Sequence, residues 1–300
     1  MTELVTVTER PALHEPVLVV MLTGWIDASG AAAAAMSVLE SEWSARTIAT
    51  FDRDTFIDYR ARRPVMEIRN GRNARLVWPD IELKAGRDRS GRDVLLLTGH
   101  EPDAAWTRFA TCVAELAVSF GVAQAVGLGA YPMAVPHTRP ARLSCTAPDV
   151  EVLGRLPFLK SSVDVPAGME AVLEHSFHDR GIPTFGIWVQ VPHYVSQMTY
   201  PAASVALLTG LRDVAGLAVD AAGPRSEALL QRSRLDDLVA GNPEHQSMVR
   251  QLEQFYDAPD NEHSEADISH PSFGRSMDGE ELPSGDELAA ELEQYLREQG

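Results

Sequence analysis

Apolar residues recur along this chain in two rhythms. Residues 17–22, VLVVML, form an unbroken apolar run rich in β-branched side chains, and 47–51, 93–99, 122–129 and 184–191 are similar. Runs of that length and composition suit strands covered on both faces. Segments 29–43, 102–120, 168–179 and 201–219 alternate with them and read as helices. Strand–helix alternation predicts a parallel or mixed sheet with helices on both faces. In such sheets ligands and partners meet the loops at the carboxyl ends of the strands. Residues 78–93, WPDIELKAGRDRSGRD, are dense in charge and turn formers and read as an exposed loop.

After residue 223 the pattern changes. Two polar helical segments meet at Asn242-Pro243, a good N-cap followed by a good first helical residue. The expected organisation is an α/β body over 1–223, a helical hairpin over 224–256, an acidic flexible linker over 257–283 and a helix over 284–300. Ser284 and Glu287 have capping-box spacing there. Leu288, Leu292, Tyr295 and Leu296 share one helical face, which suggests docking on the body or on a partner.

Net charge is −17. Phosphate binding needs clustered Lys and Arg, so nucleic acid is excluded as the main partner. Thirteen of the acidic residues, against two arginines, fall at or after Asp257, so most of the acidity belongs to the tail. No run approaches a membrane span, and the start shows no apolar leader. Cys112 and Cys145 have no metal spacing and read as a reduced pair. A cytoplasmic location is the expectation.

The candidate chemistry follows the strands. In GWIDASG, Gly24 and Gly30 frame a turn that carries Trp25, Asp27 and Ser29. It has neither the lysine of a P-loop nor the third glycine of a dinucleotide fingerprint. A carboxylate at a helix N-terminus caps free N–H groups where a phosphate would sit, so Asp27 reads as structural. His100 and Glu101 are either an acid–base pair or a turn before a helix that Pro102 opens, with Asp103 in its first turn. The rigid loop 131–140 carries Tyr131, His137, Thr138 and Arg139, suited either to a carboxylate or phosphate or to a protein contact. A second Pro-His follows the last strand, with His193 and Tyr194. If the two loops adjoin, His137 and His193 share a pocket; otherwise each bonds local backbone. His175 and His178 are spaced for a metal face, but a solvated helix end before Gly181 accounts for them, and no metal site is expected. No residue stands out as a nucleophile.

GWIDASG, TGHEPDAAW, YPMAVPHTRP and VQVPHYVSQMTYPAA, in this order, resemble the PAC2 family, named for proteasome assembly chaperone 2, and most closely its bacterial branch. The resemblance covers about residues 18–217, and the C-terminal helices look like that branch's extension. It implies a three-layer αβα fold of the phosphorylase/hydrolase type with a mixed central sheet. It also implies non-catalytic protein binding: eukaryotic members are chaperones of proteasome assembly. Some relatives dock proteasome cores through a Tyr next to the C-terminal carboxylate, whereas Tyr295 here is followed by LREQG. The expected role is therefore a protein-binding or proteasome-assembly-chaperone-like factor, a homo-oligomer with a protein partner and no cofactor. The alternative is a small-molecule-binding enzyme or sensor directed at a nucleoside or carboxylate. It would use Gly24–Gly30, His100, Tyr131, His137, Arg139 and His193. Some relatives carry an ATP-grasp or carboxylate–amine ligase label, but no phosphate-gripping loop or magnesium-binding carboxylate pair supports it here.

Overall fold

The computed structural model describes residues 4–24 and 26–258. Trp25, the expected linker beyond residue 258 and the face Leu288/Leu292/Tyr295/Leu296 lie outside the described residues. The fold is α/β, as expected: a mixed eight-stranded sheet between two helical layers. Four parallel strands form its centre: β2 (Val17–Thr23), β7 (Asp93–His100), β8 (Gln124–Met133) and β10 (Thr184–Pro192). Antiparallel strands extend it on both sides. Beyond β7 lie β6 (Ile81–Arg87), β3 (Arg46–Phe51) and β1 (Val5–Val7); beyond β10 lies β9 (Leu143–Thr146).

Alternation along the strands builds two cores. Val17, Val19 and Met21 face α1 (Ala31–Glu42) and α6 (Pro201–Ala215). Leu18 and Val20 face α3 (Trp106–Ser119) and α5 (Met169–His178). The alanines of α1 let it lie close to the sheet, and Ser204 Oγ donates to Ala31 O at 2.9 Å across the α1–α6 seam. On the other face a short helix, α2 (Arg53–Phe56), brings Phe56 to Phe51 and Phe109, with tilted and edge-on rings 4.9–6.5 Å apart. Another short helix, α4 (Val150–Arg155), leads from β9 towards α5. Helices α7 (Ala222–Gly241) and α8 (Pro243–Asp257) pack as a pair, and Asn242 caps α8 by accepting from Glu244 N at 2.9 Å.

Two expectations need correction. The segment 78–93 is not an exposed loop. Ile81, Leu83 and Ala85 are buried on alternate positions, and β6 pairs with both β7 and β3. Its charges stand between the buried positions, and that period of two is the strand signal. The helix after β7 starts at Trp106, so Asp103 is not in its first turn. Its carboxylate accepts from Asp58 N at 2.9 Å and pairs with Arg62. Residues 65–77 form an isolated ribbon, β4 (Val65–Arg69) and β5 (Arg72–Val77), that the apolar pattern did not announce. None of the described helices is long and apolar enough to cross a membrane.

Candidate functional site

All four segments singled out in the sequence follow parallel strands, so topology gathers them at one end of the sheet. They do not form one pocket. The helical layers divide them into a closed side and an open side.

On the α1/α6 side the two Pro-His loops meet. Tyr194 Oη donates or accepts at His137 Nδ1, 2.7 Å away, and accepts from His137 N at 2.7 Å. The Tyr194 ring meets the His137 and His193 rings edge-on, at 5.8 and 5.3 Å. His137 is 3% exposed, and its Nε2 lies 3.2 Å from Asp236 of α7. Burial holds both histidines below their ordinary pKa, which favours neutral rings. Neither His137 contact is local backbone: the tertiary fold supplies both.

The same loop carries Thr138 and Arg139 into the grip of α8. Thr138 Oγ1 donates to Glu253 Oε1 at 2.5 Å, and Arg139 holds Glu253 at 3.0 Å and Asp257 at 2.7 Å. The Arg142 guanidinium stacks 3.6 Å over the Tyr256 ring. The cationic residue on which a carboxylate-directed pocket rested is thus engaged by two carboxylates of the chain itself.

The turn after β2 is closed by its own aspartate. Asp27 accepts from Ala32 N at 2.8 Å and Ala33 N at 3.0 Å, and bridges to Ala130 of β8. Ser29 and Gly30 take positive φ, 61° and 64°, which lets the chain turn straight into α1. Ser29 Oγ is buried without a partner. Replacing Asp27 with Ala is expected to cost about 1 kcal/mol, the usual loss of a helix cap. The midpoint of a urea titration measures it, with the slope unchanged.

His100 and Glu101 do not form a pair. His100 Nδ1 is 3.1 Å from Thr23 Oγ1, and burial together with the charge of Arg62 lowers its pKa. Glu101 Oε1 accepts from Met169 N at 2.5 Å, at the N-terminus of α5. His175 and His178 lie exposed at the end of α5, as a solvated helix end requires. Among the described residues no three His, Cys, Asp or Glu side chains gather to hold a metal.

The open side is a cavity of about 450 Å³ between α5 and the face of β8, β10 and β9 opposite α1. Tyr131 and Glu101 reach it from the predicted set. Its other functional groups escaped the sequence reading: Glu170 and Glu174 of α5, Thr146 of β9 and Trp188 of β10. Thr146 Oγ1 donates to Glu174 Oε1 at 2.8 Å and accepts from Trp188 Nε1 at 3.1 Å. Tyr131 Oη accepts from Gln190 Nε2 at 3.1 Å and lies 3.1 Å from Ser144 Oγ. Glu174 is 8% exposed, and burial raises its pKa from 4.5 to about 7. Glu170 keeps part of its side chain on the cavity wall, but its Oε1 is fully buried without a partner. Burial, then the charges of Glu174 and Asp27, push its pKa well upward.

Space for these groups comes from glycines. Gly127 and Gly129 on β8 and Gly186 on β10 lie where a side chain would overlap Glu170, Trp188 and Glu174. A Cβ on Gly186 would stand 2.7 Å from both Glu174 Oε1 and Thr146 Oγ1. The signal was present in the sequence. Within the runs 125–131 and 184–190, every second residue after the first is Gly, Tyr, Trp or Gln, and Glu170 and Glu174 sit at i, i+4.

Residues 21–239 match the PAC2 family. Among solved structures, a Corynebacterium glutamicum protein of unknown function is 33% identical with a TM-score of 0.79, covering 85% of this chain and 97% of its own. A PAC2 family protein from Streptomyces avermitilis is 30% identical with a TM-score of 0.71, over 78% and 99% of the two chains. A proteasome-assembly chaperone homologue from Mycobacterium tuberculosis is 30% identical with a TM-score of 0.72, again over 78% and 99%. No curated protein matches the chain.

Proposed function

The chain belongs to the PAC2 family, and from that premise we propose that it is a non-catalytic protein-binding factor of the proteasome-assembly-chaperone kind, working as a homo-oligomer. The observation that carries the reading is the β4–β5 ribbon. Val65, Met66, Ile68, Leu76 and Val77 are between 41% and 64% exposed. Val65 stands opposite Val77 and Met66 opposite Leu76, so both faces of the ribbon present paired apolar side chains to solvent. An isolated two-stranded ribbon is marginal in water. A contiguous apolar surface of this kind is the usual mark of a protein contact. Trp78 anchors its base, with the Tyr59 ring at 4.9 Å and the Arg53 guanidinium at 5.1 Å.

The relative from Mycobacterium named as a proteasome-assembly chaperone homologue gives the partner its class. The test mixes the purified full chain with purified proteasome α and β subunits and follows core assembly on native gels. Light scattering on the chain alone measures self-association. Assembly is expected to quicken, and the chain to scatter with the mass of an oligomer. The double substitution Ile68→Asp with Leu76→Asp is expected to weaken these contacts by about 2 kcal/mol, roughly thirty-fold in affinity, without lowering the melting temperature. A chain that stays monomeric and leaves assembly rates untouched refutes the reading.

A further inference from the structure

The cavity under α5 shares no lining residue with the β4–β5 ribbon, and its construction has a chemistry of its own. We infer that it binds a small organic cation, an ammonium group on an apolar or aromatic body, with Glu170 and Glu174 as its anionic partners.

Four observations lead there. The volume of about 450 Å³ lies in the range of small-molecule sites. Glu170 and Glu174 line the cavity from one face of α5, and Glu170 Oε1, packed against Gly127, has no partner. Such an oxygen is costly to leave unmet and is retained in few places without a reason. Among the described residues that line the cavity there is no Lys, Arg or His, and the charges acting on Glu170 come from Glu174 and Asp27, both acidic. The site therefore offers a carboxylate or phosphate no countercharge. Lastly, most of the wall is apolar or aromatic: Met21, Leu128, Pro132, Val163 and the rings of Tyr131 and Trp188. An aromatic ring beside carboxylates is the usual setting for an ammonium.

The polar groups divide the work. Glu101 is already satisfied by Met169 N, and Glu174 is half satisfied by Thr146. The part of Glu170 that lines the cavity and the second oxygen of Glu174 remain for the guest. Without a cation, burial favours the protonated form of both carboxyls; an entering ammonium favours the ionised form and so drives proton release. The predicted metal-free reading is compatible with this, because an organic cation needs no convergent ligand set. The polarity is opposite to the carboxylate-directed pocket considered from the sequence.

Calorimetry on the full chain tests it, with benzylamine, phenethylamine and putrescine as probes and benzyl alcohol as the uncharged control. Titrations in phosphate and in MOPS at about pH 7 count protons, because the two buffers differ in ionisation enthalpy and neither is a primary ammonium. Expected are saturable binding of at least one amine and release of a proton. Benzyl alcohol, and the amine against Glu170→Gln with Glu174→Gln, should bind roughly ten-fold or more weakly, the loss of a charge-assisted hydrogen bond. Equal binding of amine and alcohol, binding without proton release, or no binding of any of the three amines overturns the inference. Proton release is read on the unaltered chain, so the test survives a glutamine variant that does not fold. It is also independent of the ribbon variant and of proteasome assembly.

Discussion

Replacing Gly129 with Ala is expected to destabilise the chain by about 3 kcal/mol, the upper range for overpacking a close-packed interior. Gly129 stands directly opposite Trp188 in the parallel pairing of β8 and β10, and a Cβ there would run into the six-membered part of the indole. A rigid bicyclic ring has no soft end that can swing away, and Trp188 Nε1 is tied to Thr146 Oγ1. The indole must leave its place, taking the wall of the cavity with it. Urea unfolding followed by tryptophan fluorescence reads both consequences, a lower midpoint and a shifted emission maximum in the folded state. Trp188→Val is expected to lower stability by itself. In its background Gly129→Ala should cost less than about 1 kcal/mol, because the overlapping atoms are gone and neighbouring mutations couple. A full cost in both backgrounds would place the clash elsewhere.

Glu174 should make stability fall as pH rises, against the usual behaviour of a carboxylate. Its folded pKa of about 7 lies above the ordinary 4.5, so the folded state holds a proton that the unfolded chain has released. The stabilisation is complete below about pH 4.5 and is lost as pH climbs through about 7. Complete loss amounts to about 3 kcal/mol, from a shift of roughly 2.5 pKa units at 1.36 kcal/mol each. Glu170 acts in the same direction. His100, His137 and His193 oppose it, since their lowered pKa values favour folding as pH rises towards 6.5. The comparison that isolates the carboxyl is the chain against Glu174→Gln, whose neutral amide can still accept from Thr146. The two are expected to be similar near pH 4, with the variant more stable by about 3 kcal/mol near pH 8. Denaturant midpoints across that range check it. A constant difference would mean that Glu174 ionises as freely in the folded chain as in the unfolded one.

Much of the architecture was legible because it rests on local rules. The apolar runs at 17–22 and 94–97 can be satisfied only where both faces are covered, which places them at the centre of a sheet with helices above and below. Asp27 before an alanine-rich segment finds its hydrogen bonds within six residues, so its capping role could be read from spacing. The strand β6 was hidden because charge density outweighed a period of two. The ribbon β4–β5 was hidden because its apolar residues are not buried at all, and burial is what the apolar pattern reports.

The site divided along the same line. The sequence placed Tyr131, His137 and His193 just beyond strands, and parallel topology duly brought them to one end of the sheet. It could not tell that α8, more than a hundred residues later, would occupy Arg139, or that α7 would reach His137 through Asp236. Nor could it tell that Glu170 and Glu174 turn inward. On a helix considered alone, two glutamates four residues apart belong on the wet side. Only the facing strands, which give up their side chains at Gly127 and Gly186, open room beneath them. Periodicity and capping thus fixed the elements, because their energies are local. The chemistry of the cavity was decided by which strand came to lie against which helix, a matter of packing between residues far apart in the chain, such as Gly127 with Glu170 and Gly129 with Trp188.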